Sequence, residues 1–517
     1  MKCISIKTSL LLVSALMSYG SIAKELLPNI VIIYADDMGY GDLAIQNEKS
    51  KIPTPNLDQL AREGMRFTDA HSSSGICSPS RYSLLTGRYH WRKQHKIVSA
   101  FGKPFFAKGE STLPRVLQTS GYKTAAIGKW HLGWNWQFNN KPSGKMKSKK
   151  GFKPFYMPED IDWTKPVTGG PLDQGFDYYY GDGTINFPPY AWVENDKVVE
   201  APTAVMTGDN IGHKVKEGSW EFRAGPKVKG WNPYDVLPTL TKKSVEWLGQ
   251  QTATEPFFLY LALPSPHAPI IPNKEFDGKS QAGPYGDFMV QTDWVAGQVL
   301  NVLKEKGLDK NTLVIFTADN GPEKYAYKRA EIYGHYSMGD FRGLKRDVYE
   351  GGHHVPFVIK WPGKIKAGSI STEVISQVDI MATLAAITKT KLPEASAPDS
   401  YDISPVLFNK TYASPLREAT VQNTKEGVYG LRQGKWLYIN HSTGQHTGAP
   451  KEYNEAMGFT KFKAESLLFD LEEDPGQRNN LQAQFPEKAS AMNSLLEKYR
   501  SQAFSVKHEQ LFSAEHM

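Results

Sequence analysis

Two apolar runs in this sequence end in acids. Asn29-Ile-Val-Ile-Ile-Tyr-Ala35 leads into Asp36-Asp37, and Thr312-Leu-Val-Ile-Phe-Thr-Ala318 leads into Asp319-Asn320. Carboxylate and amide oxygens are hard donors of the kind a divalent cation takes, about six to eight for Ca2+ and fewer, in stricter geometry, for Mg2+. Alone, an Asp-Asp pair caps a helix or a turn more often than it holds a metal. Its recurrence as Asp319-Asn320 after a second run favours the metal reading. Cys77 lies between the pairs, in Cys77-Ser-Pro-Ser-Arg81 ahead of Leu84-Leu-Thr-Gly-Arg88. A thiolate prefers soft metals, so a cysteine among hard oxygen donors is a chemical mismatch.

Further candidates carry positive charge or titrate near neutrality. Lys129 and His131 stand two apart in Gly128-Lys-Trp-His-Leu-Gly133, and His267 sits in the proline-stiffened loop Pro264-Ser-Pro-His-Ala-Pro269. Lys345 ends Arg342-Gly-Leu-Lys345, ahead of Glu350-Gly-Gly-His-His-Val-Pro356. Arg81 is four residues beyond Cys77 and points back at it if the segment is helical. The bland readings are a surface lysine beside a structural histidine and a hydrogen-bonded loop histidine.

These residues need a scaffold that gathers distant segments. The two acid-ending runs read as strands buried on both faces, and Lys123–Gly128 and Pro256–Ala262 add further strands, with Val355–Lys360 another. Helical patterns at Asn56–Glu63, Gly286–Lys306 and Ile380–Ile387 alternate with them. That order predicts an α/β fold, a mostly parallel central sheet flanked by helices. In such sheets ligands bind beyond the carboxyl ends of the strands, where the two acid clusters can meet. From about residue 413 the pattern changes. Gly427–Arg432 and Lys435–Ile439 flank a Gln433-Gly434 turn, Leu467–Leu471 adds a strand and Ala489–Tyr499 a helix, which predicts a smaller α+β subdomain with an antiparallel sheet. The expected organisation is a leader over 1–23, a catalytic domain over 24–412 and a C-terminal subdomain over 413–517. Lys141–Lys153, with six lysines, and Thr184–Asp235 read as loops.

The segment Cys77-Ser-Pro-Ser-Arg81 with Thr86-Gly-Arg88 closely resembles the signature of the formylglycine-dependent sulfatases, of the alkaline phosphatase-like superfamily, and the resemblance extends over nearly the whole chain after residue 23. It implies that Cys77 is oxidised to an aldehyde by a formylglycine-generating or an anaerobic sulfatase-maturating enzyme. The hydrate of that aldehyde has one oxygen for a cation and for attack on sulfur, and a second that keeps a proton for release. The resemblance also implies metal ligation by Asp36, Asp37, Asp319 and Asn320 together with the modified Cys77, with calcium ahead of magnesium. Lys129 and Lys345 become sulfate clamps, His131 the proton acceptor, His267 the general acid and Arg81 the residue that steadies the hydrate. Asn186 and His335 are weaker candidates for contact with substrate. His353-His354 departs from the usual residues of that turn and is read as peripheral.

Composition narrows the partners. A net charge of +7 is spread over 517 residues, and no segment combines dense Lys/Arg with aromatics as a nucleic-acid face does. Lys2 and Lys7, the apolar run Ser9–Met17 and the small residues Ser21-Ile-Ala23 read as a cleavable signal peptide. Cys3 precedes that run, so no lipoprotein cysteine is present. The run is too short for a membrane span, and a periplasmic or secreted protein is expected. Cleavage leaves Cys77 without an intramolecular partner. A sulfated polysaccharide or oligosaccharide is the expected substrate. Asn186-Phe-Pro-Pro-Tyr190 running into Trp192-Val-Glu-Asn195 is similar to sulfatases acting on glycans, among them sulfated galactans such as carrageenan. Tyr190, Trp192 and Trp231 are candidates to stack sugar rings. The alternatives are a phosphonate or phosphodiester hydrolase of the same superfamily and an unmodified, glycan-binding relative without activity.

Overall fold

The computed structural model describes residues 26–148, 151–208 and 210–506. The expected leader and its cleavage site lie outside these residues. Five strands position the site: β1 (Asn29–Ala35), β2 (Lys123–Gly128), β3 (Phe257–Ala262), β4 (Thr312–Ala318) and β5 (Phe357–Lys360). They belong to a ten-stranded sheet whose order is Ser369–Ser371, Met65–Phe67, β5, β4, β1, β3, β2, Tyr178–Gly181, Val193–Glu194 and Lys197–Val198. β1 is central and parallel to both β3 and β4, and β2 is parallel to β3. β5 runs antiparallel to β4.

Both faces of this sheet are covered, which is why β1 is a run of buried, largely apolar residues from Ile30 to Ala35. Ile30, Ile32 and Tyr34 point into one core, with Leu84 and Leu85 of helix α1 (Cys77–Thr86) and with Ile380, Met381 and Leu384 of α2 (Ile380–Ile387). Val31, Ile33 and Ala35 point into the other, against Leu57 and Leu60, Leu240 and Leu248, and Phe288 and Val295 from three further helices. The two-residue period of a strand divides one run of residues between two cores. Each large side chain so buried contributes about 1.5–3 kcal/mol.

The C-terminal part is a four-stranded antiparallel sheet of Thr420–Lys425, Val428–Gln433, Trp436–Ile439 and Leu467–Asp470. Helix α3 (Pro486–Ser501) packs Met492, Leu496 and Tyr499 on Val421, Leu431 and Leu468, and Tyr89 and Trp91 of the larger part join this core. No helix among the described residues is long and apolar enough to cross a membrane.

Two expected loops contain regular structure. Gly144–Ser148 and Gly151–Phe155 form an antiparallel hairpin that pairs Met146 with Lys153 and Lys147 with Phe152. Lys145-Met-Lys147 alternates as a strand does, and the lysine density hides that period. Within Thr184–Asp235, Ala204–Met206 pairs with Gly225–Lys227, strands too short to leave a pattern.

Candidate active site

Because β1 to β4 run parallel and in register, their carboxyl ends share one edge of the sheet. Ala35 lies beside Ala318, and Ala262 beside Gly128. The residues that follow each strand therefore converge: Asp36 and Asp37 after β1, Lys129 after β2, the His267 loop after β3, and Asp319 and Asn320 after β4. Backbone hydrogen bonds tie these ends together, from Asp36 N to Ser265 O at 3.0 Å, Lys129 N to Ala262 O at 2.7 Å and Asp319 N to Ala35 O at 3.1 Å. Gly128 has φ 108°, and a Cβ there would lie 2.0 Å from Ala262 O, so only glycine turns the chain into Lys129 at this spacing.

Cys77 is the first residue of α1, whose positive end faces the acids. Its Sγ lies 3.5 Å from Asp36 Oδ1. One helical turn on, Arg81 is fully buried. It donates from Nε and Nη2 to Asp319 Oδ2 at 3.0 and 2.8 Å, and from Nη1 to Lys129 O at 3.2 Å. The helix expected at Cys77 thus carries Arg81 into the same site. Lys129 Nζ donates to Asp36 Oδ2. Lys345 Nζ lies 2.6 and 2.7 Å from the two oxygens of Asp37, and His267 Nε2 is 3.5 Å from Asp37 Oδ2. Lys345 arrives because the Glu350-Gly-Gly turn docks on the end of β4, where a Cβ on Gly321 would lie 1.9 Å from Gly351 O.

The two histidines are poised by their backbone partners. His131 sits at φ 50°, a left-handed conformation unusual outside glycine, and its Nε2 faces Val98 O at 2.9 Å. Nε2 therefore carries the proton, and Nδ1, buried and without a protein partner, keeps its lone pair. His267 donates from Nδ1 to Ala268 O, which leaves Nε2 facing the acids.

Electrostatics follow from this packing. Burial raises the proton affinity of Asp36, but Lys129, His267 and Arg81 outweigh it and hold the carboxyl well below the usual range. Burial and then the neighbouring Asp36 push Asp319 up to about 7 against the pull of Arg81. Burial drives the Cys77 thiol far above its ordinary value, so it is fully protonated at neutral pH and is a poor nucleophile as a thiol. Burial, Lys129 and Arg81 hold His131 well below its ordinary value, and burial with Lys345 lowers His267. Both rings are neutral near pH 7 in the metal-free protein.

The donor set fits a hard divalent cation. Carboxylate, sulfur and imidazole atoms of Asp36, Asp37, Cys77 and His267 all lie within 4.8 Å of one another. Asn320 spends Nδ2 on Asp37 Oδ1 at 2.7 Å and on Gly321 O at 2.8 Å, while its Oδ1 is buried with no partner. An orphaned buried oxygen beside buried carboxylates fits a hard divalent cation. Asp36, Asp37, Asp319 and Asn320 could hold it. A second His/carboxylate group, Asp69, His71, Glu350 and His354, lies against the Arg432 guanidinium. Arg432 lies 2.7 Å from Asp69 and 3.7 Å from Glu350, and His354 bridges Glu350 and Thr68 O at 2.9 and 2.8 Å. His353 and His354 are therefore buried braces of the turn that follows Lys345.

The weaker candidates separate. His335 is fully buried behind the site, its Nε2 2.8 Å from Asp42 Oδ1 and its Nδ1 accepting from Lys51 N at 3.3 Å, and it does not join the cluster. Asn186 is buried beside the His131 side, with Oδ1 accepting from Thr184 at 3.3 Å. Tyr190 and Trp231 are buried, and Trp192 is packed between Tyr180 and Trp231 at 5.1 Å from each ring, so these aromatics are local packing.

Three charged residues escaped the sequence reading. Glu323 lies 3.6 Å from Lys345 and 2.7 Å from Arg346. Asp182 lines a small cavity of about 30 Å³ with His131, Trp134 and Phe187; it is 4% exposed, and neither carboxylate oxygen has a hydrogen-bond partner among the described residues. No motif marks any of them: Glu323 and Arg346 meet across 23 residues of chain, and Asp182 is distinguished only by its burial. Burial raises Asp182 to about 7. The folded state thus holds a proton that the unfolded chain has released, and stability contributed by this group falls as pH rises from about 4 to 7. Asp182→Asn is expected to be more stable than the parent at pH 8, by on the order of 1–4 kcal/mol, and near parity at pH 4. Urea unfolding at both pH values measures this, and an equal difference at both removes the explanation.

Comparison with known proteins agrees with this geometry. A family model described as Sulfatase matches residues 28–390, and one described as N-sulphoglucosamine sulphohydrolase, C-terminal, matches 339–503. An N-acetylgalactosamine-6-O-sulfatase of Bacteroides thetaiotaomicron is 33% identical over 512 residues, covering 92% of this chain and 93% of its own. Human arylsulfatase A is 32% identical over 473 residues, covering 88% and 83%. Among solved structures, a sulfatase from a B. thetaiotaomicron locus for metabolism of multiple glycosaminoglycans superposes with TM-score 0.75 at 31% identity, over 92% of this chain and all of that one. A protein solved with a neocarrahexaose, Ps i-CgsB, superposes with TM-score 0.65 at 21% identity, covering 94% and 96%. The chain belongs to the sulfatase family, and its activity is that of a sulfuric ester hydrolase.

Proposed function

We propose that this protein removes 6-O-sulfate from N-acetylgalactosamine units of sulfated glycans, with Cys77 acting after oxidation to formylglycine and with Ca2+ as the cation. The observation that carries the mechanism is the setting of Cys77: a protonated, buried thiol at a helix N-terminus, 3.5 Å from a carboxylate and surrounded by oxygen donors. As a thiol it neither attacks nor suits the metal. Oxidised to the aldehyde by a maturating enzyme, it supplies a hydrate oxygen as nucleophile. Asp36, Asp37, Asp319 and Asn320 would hold a divalent cation, which would supply Lewis-acid stabilisation of the hydrate oxygen and of the ester. The galactosamine assignment rests on the 33% identical relative, and the carrageenan alternative on a likeness at 21% that speaks to fold.

The chain's own groups divide the remaining work. Lys129 and Lys345, paired with Asp36 and Asp37 in the structure, would turn their ammonium groups to the sulfate oxygens once those carboxylates were engaged by a cation. Arg81 stays on Asp319 and holds that carboxylate in place. His267 protonates the departing sugar oxygen from Nε2. Binding of an anionic ester between the lysines raises the proton affinity of this ring, which is otherwise lowered by burial and Lys345. His131 accepts a proton at Nδ1, the atom left free by its bond to Val98 O.

Peptide mass spectrometry around Cys77, on protein made in a host with a maturating enzyme, tests the reading together with sulfate release from N-acetylgalactosamine 6-sulfate. The expected result is a loss of about 18 Da at Cys77, the change from thiol to aldehyde, in proportion to activity. An unmodified thiol in active protein would overturn the mechanism. Release from 4-sulfated but not 6-sulfated sugar would overturn the substrate.

A further inference from the structure

The region expected to stack sugars buries the aromatics first considered, but it presents a different one to solvent. Trp220 is 56% exposed. It lies on the segment 216–222, which joins the His267 loop through Ile270 N to Glu217 O at 2.8 Å and Lys216 N to Ile270 O at 3.1 Å. Gly218 packs so closely on this loop that a Cβ there would meet Ala268 Cβ at 2.8 Å, one residue from His267. On the other side, Tyr325 donates to Glu221 Oε1 at 3.1 Å, and Lys324 Nζ lies 4.5 Å from the centre of the Trp220 ring. Lys324 follows Glu323, the partner of Lys345. The exposed indole is thus braced between the loop of the proposed general acid and the partner of the proposed sulfate clamp.

Tyr325, its ring centre 6.3 Å away and tilted, and the Lys324 ammonium hold the indole on one side, and the ring still leaves more than half of its surface to solvent. A flat apolar ring beside an ammonium group suits a sugar whose C–H face stacks on the indole while an acidic substituent meets the cation. We infer that Trp220 and Lys324 form a subsite for the anionic sugar unit next to the sulfated residue, at the mouth of the catalytic site. The inference deepens the proposed function and rests on it for the class of substrate. It makes the enzyme a reader of chain context: a sulfated monosaccharide fills the catalytic site alone, and an oligosaccharide with an adjoining uronic acid fills both.

The test separates binding from turnover. In the full chain carrying Cys77→Ala, calorimetric affinity is compared for N-acetylgalactosamine 6-sulfate and for a tetrasaccharide in which that unit alternates with a uronic acid. Trp220→Ala is expected to weaken tetrasaccharide binding at least tenfold and monosaccharide binding less than twofold, with Trp220→Phe intermediate. Lys324→Met is expected to weaken the tetrasaccharide several-fold, and to do so less when the uronic acid carboxyl is reduced to the alcohol. Equal losses for both ligands, or an unchanged tetrasaccharide affinity, would overturn the subsite. Sulfate release by the unsubstituted, matured enzyme reports on the proposed function independently, so failure of one is not mistaken for failure of the other.

Discussion

Cys77→Ala is expected to lower kcat/KM for any sulfate ester by at least about 10⁴-fold while shifting stability by about 1 kcal/mol or less. Loss of a covalent nucleophile in other hydrolases costs up to about 10⁶-fold, with the remaining groups supplying only residual catalysis. The small structural cost follows from the contacts: Sγ makes one 3.5 Å approach to Asp36 and no other hydrogen bond. Removing one sulfur leaves a cavity far smaller than the Leu→Ala changes that cost about 2–5 kcal/mol. Assay of matured protein beside a thermal melt measures both. An inactive variant that has also unfolded would assign Cys77 to structure, and retained activity would move the nucleophile elsewhere.

Asp37→Ala is expected to fail in a different way, losing at least about 10³-fold in activity and also folding stability. Asp37 accepts Lys345 on both oxygens, faces His267 and takes a bond from Asn320 Nδ2. Lys345 is 3% exposed, and burial opposes its charge; Asp37, then Cys77 and Glu323, hold its proton affinity well above the ordinary value. Without Asp37 its nearest acid is Glu323 at 3.6 Å. Stranding a buried charge in this way costs about 3–5 kcal/mol. The paired variant Asp37→Ala with Lys345→Met removes the stranded charge and is expected to recover most of the stability and none of the activity. If the double variant is no more stable than the single one, the cost lies elsewhere than in the unpaired lysine.

The two predictions differ because Cys77, the proposed nucleophile, is held by its helix and makes few contacts of its own, whereas Asp37, a proposed metal ligand, is also the counter-ion of Lys345. In the structure Lys129 pairs with Asp36 and Lys345 with Asp37; on the proposed function, a cation on those carboxylates would let both lysines turn to an anionic ester, so that no buried charge is left unpaired.

Much of this arrangement was legible in the residues themselves. Short continuous apolar runs rich in β-branched residues read as strands covered on both faces, and parallel strands put their carboxyl ends together; Asp36-Asp37 and Asp319-Asn320 could therefore meet, and the register of the two strands places them side by side. Cys77 to Arg81 carried both a motif and a helical spacing that turned Arg81 back toward the site. What the residues could not reveal depends on pairings between segments far apart. Lys145-Met-Lys147 has a strand's alternation, but whether it pairs is decided by Phe152 and Lys153 on the facing strand. His335 looks like any site histidine until Asp42 is found against it. Trp192 and Trp220 are the same residue type in the same insertion; one is stacked on Tyr180 and the other faces solvent beside Lys324. Period, charge and motif are local properties and survive in the chain, whereas burial and the partner of each polar group are created only when the chain closes on itself, and at this site those partners decide which side chains are free to act.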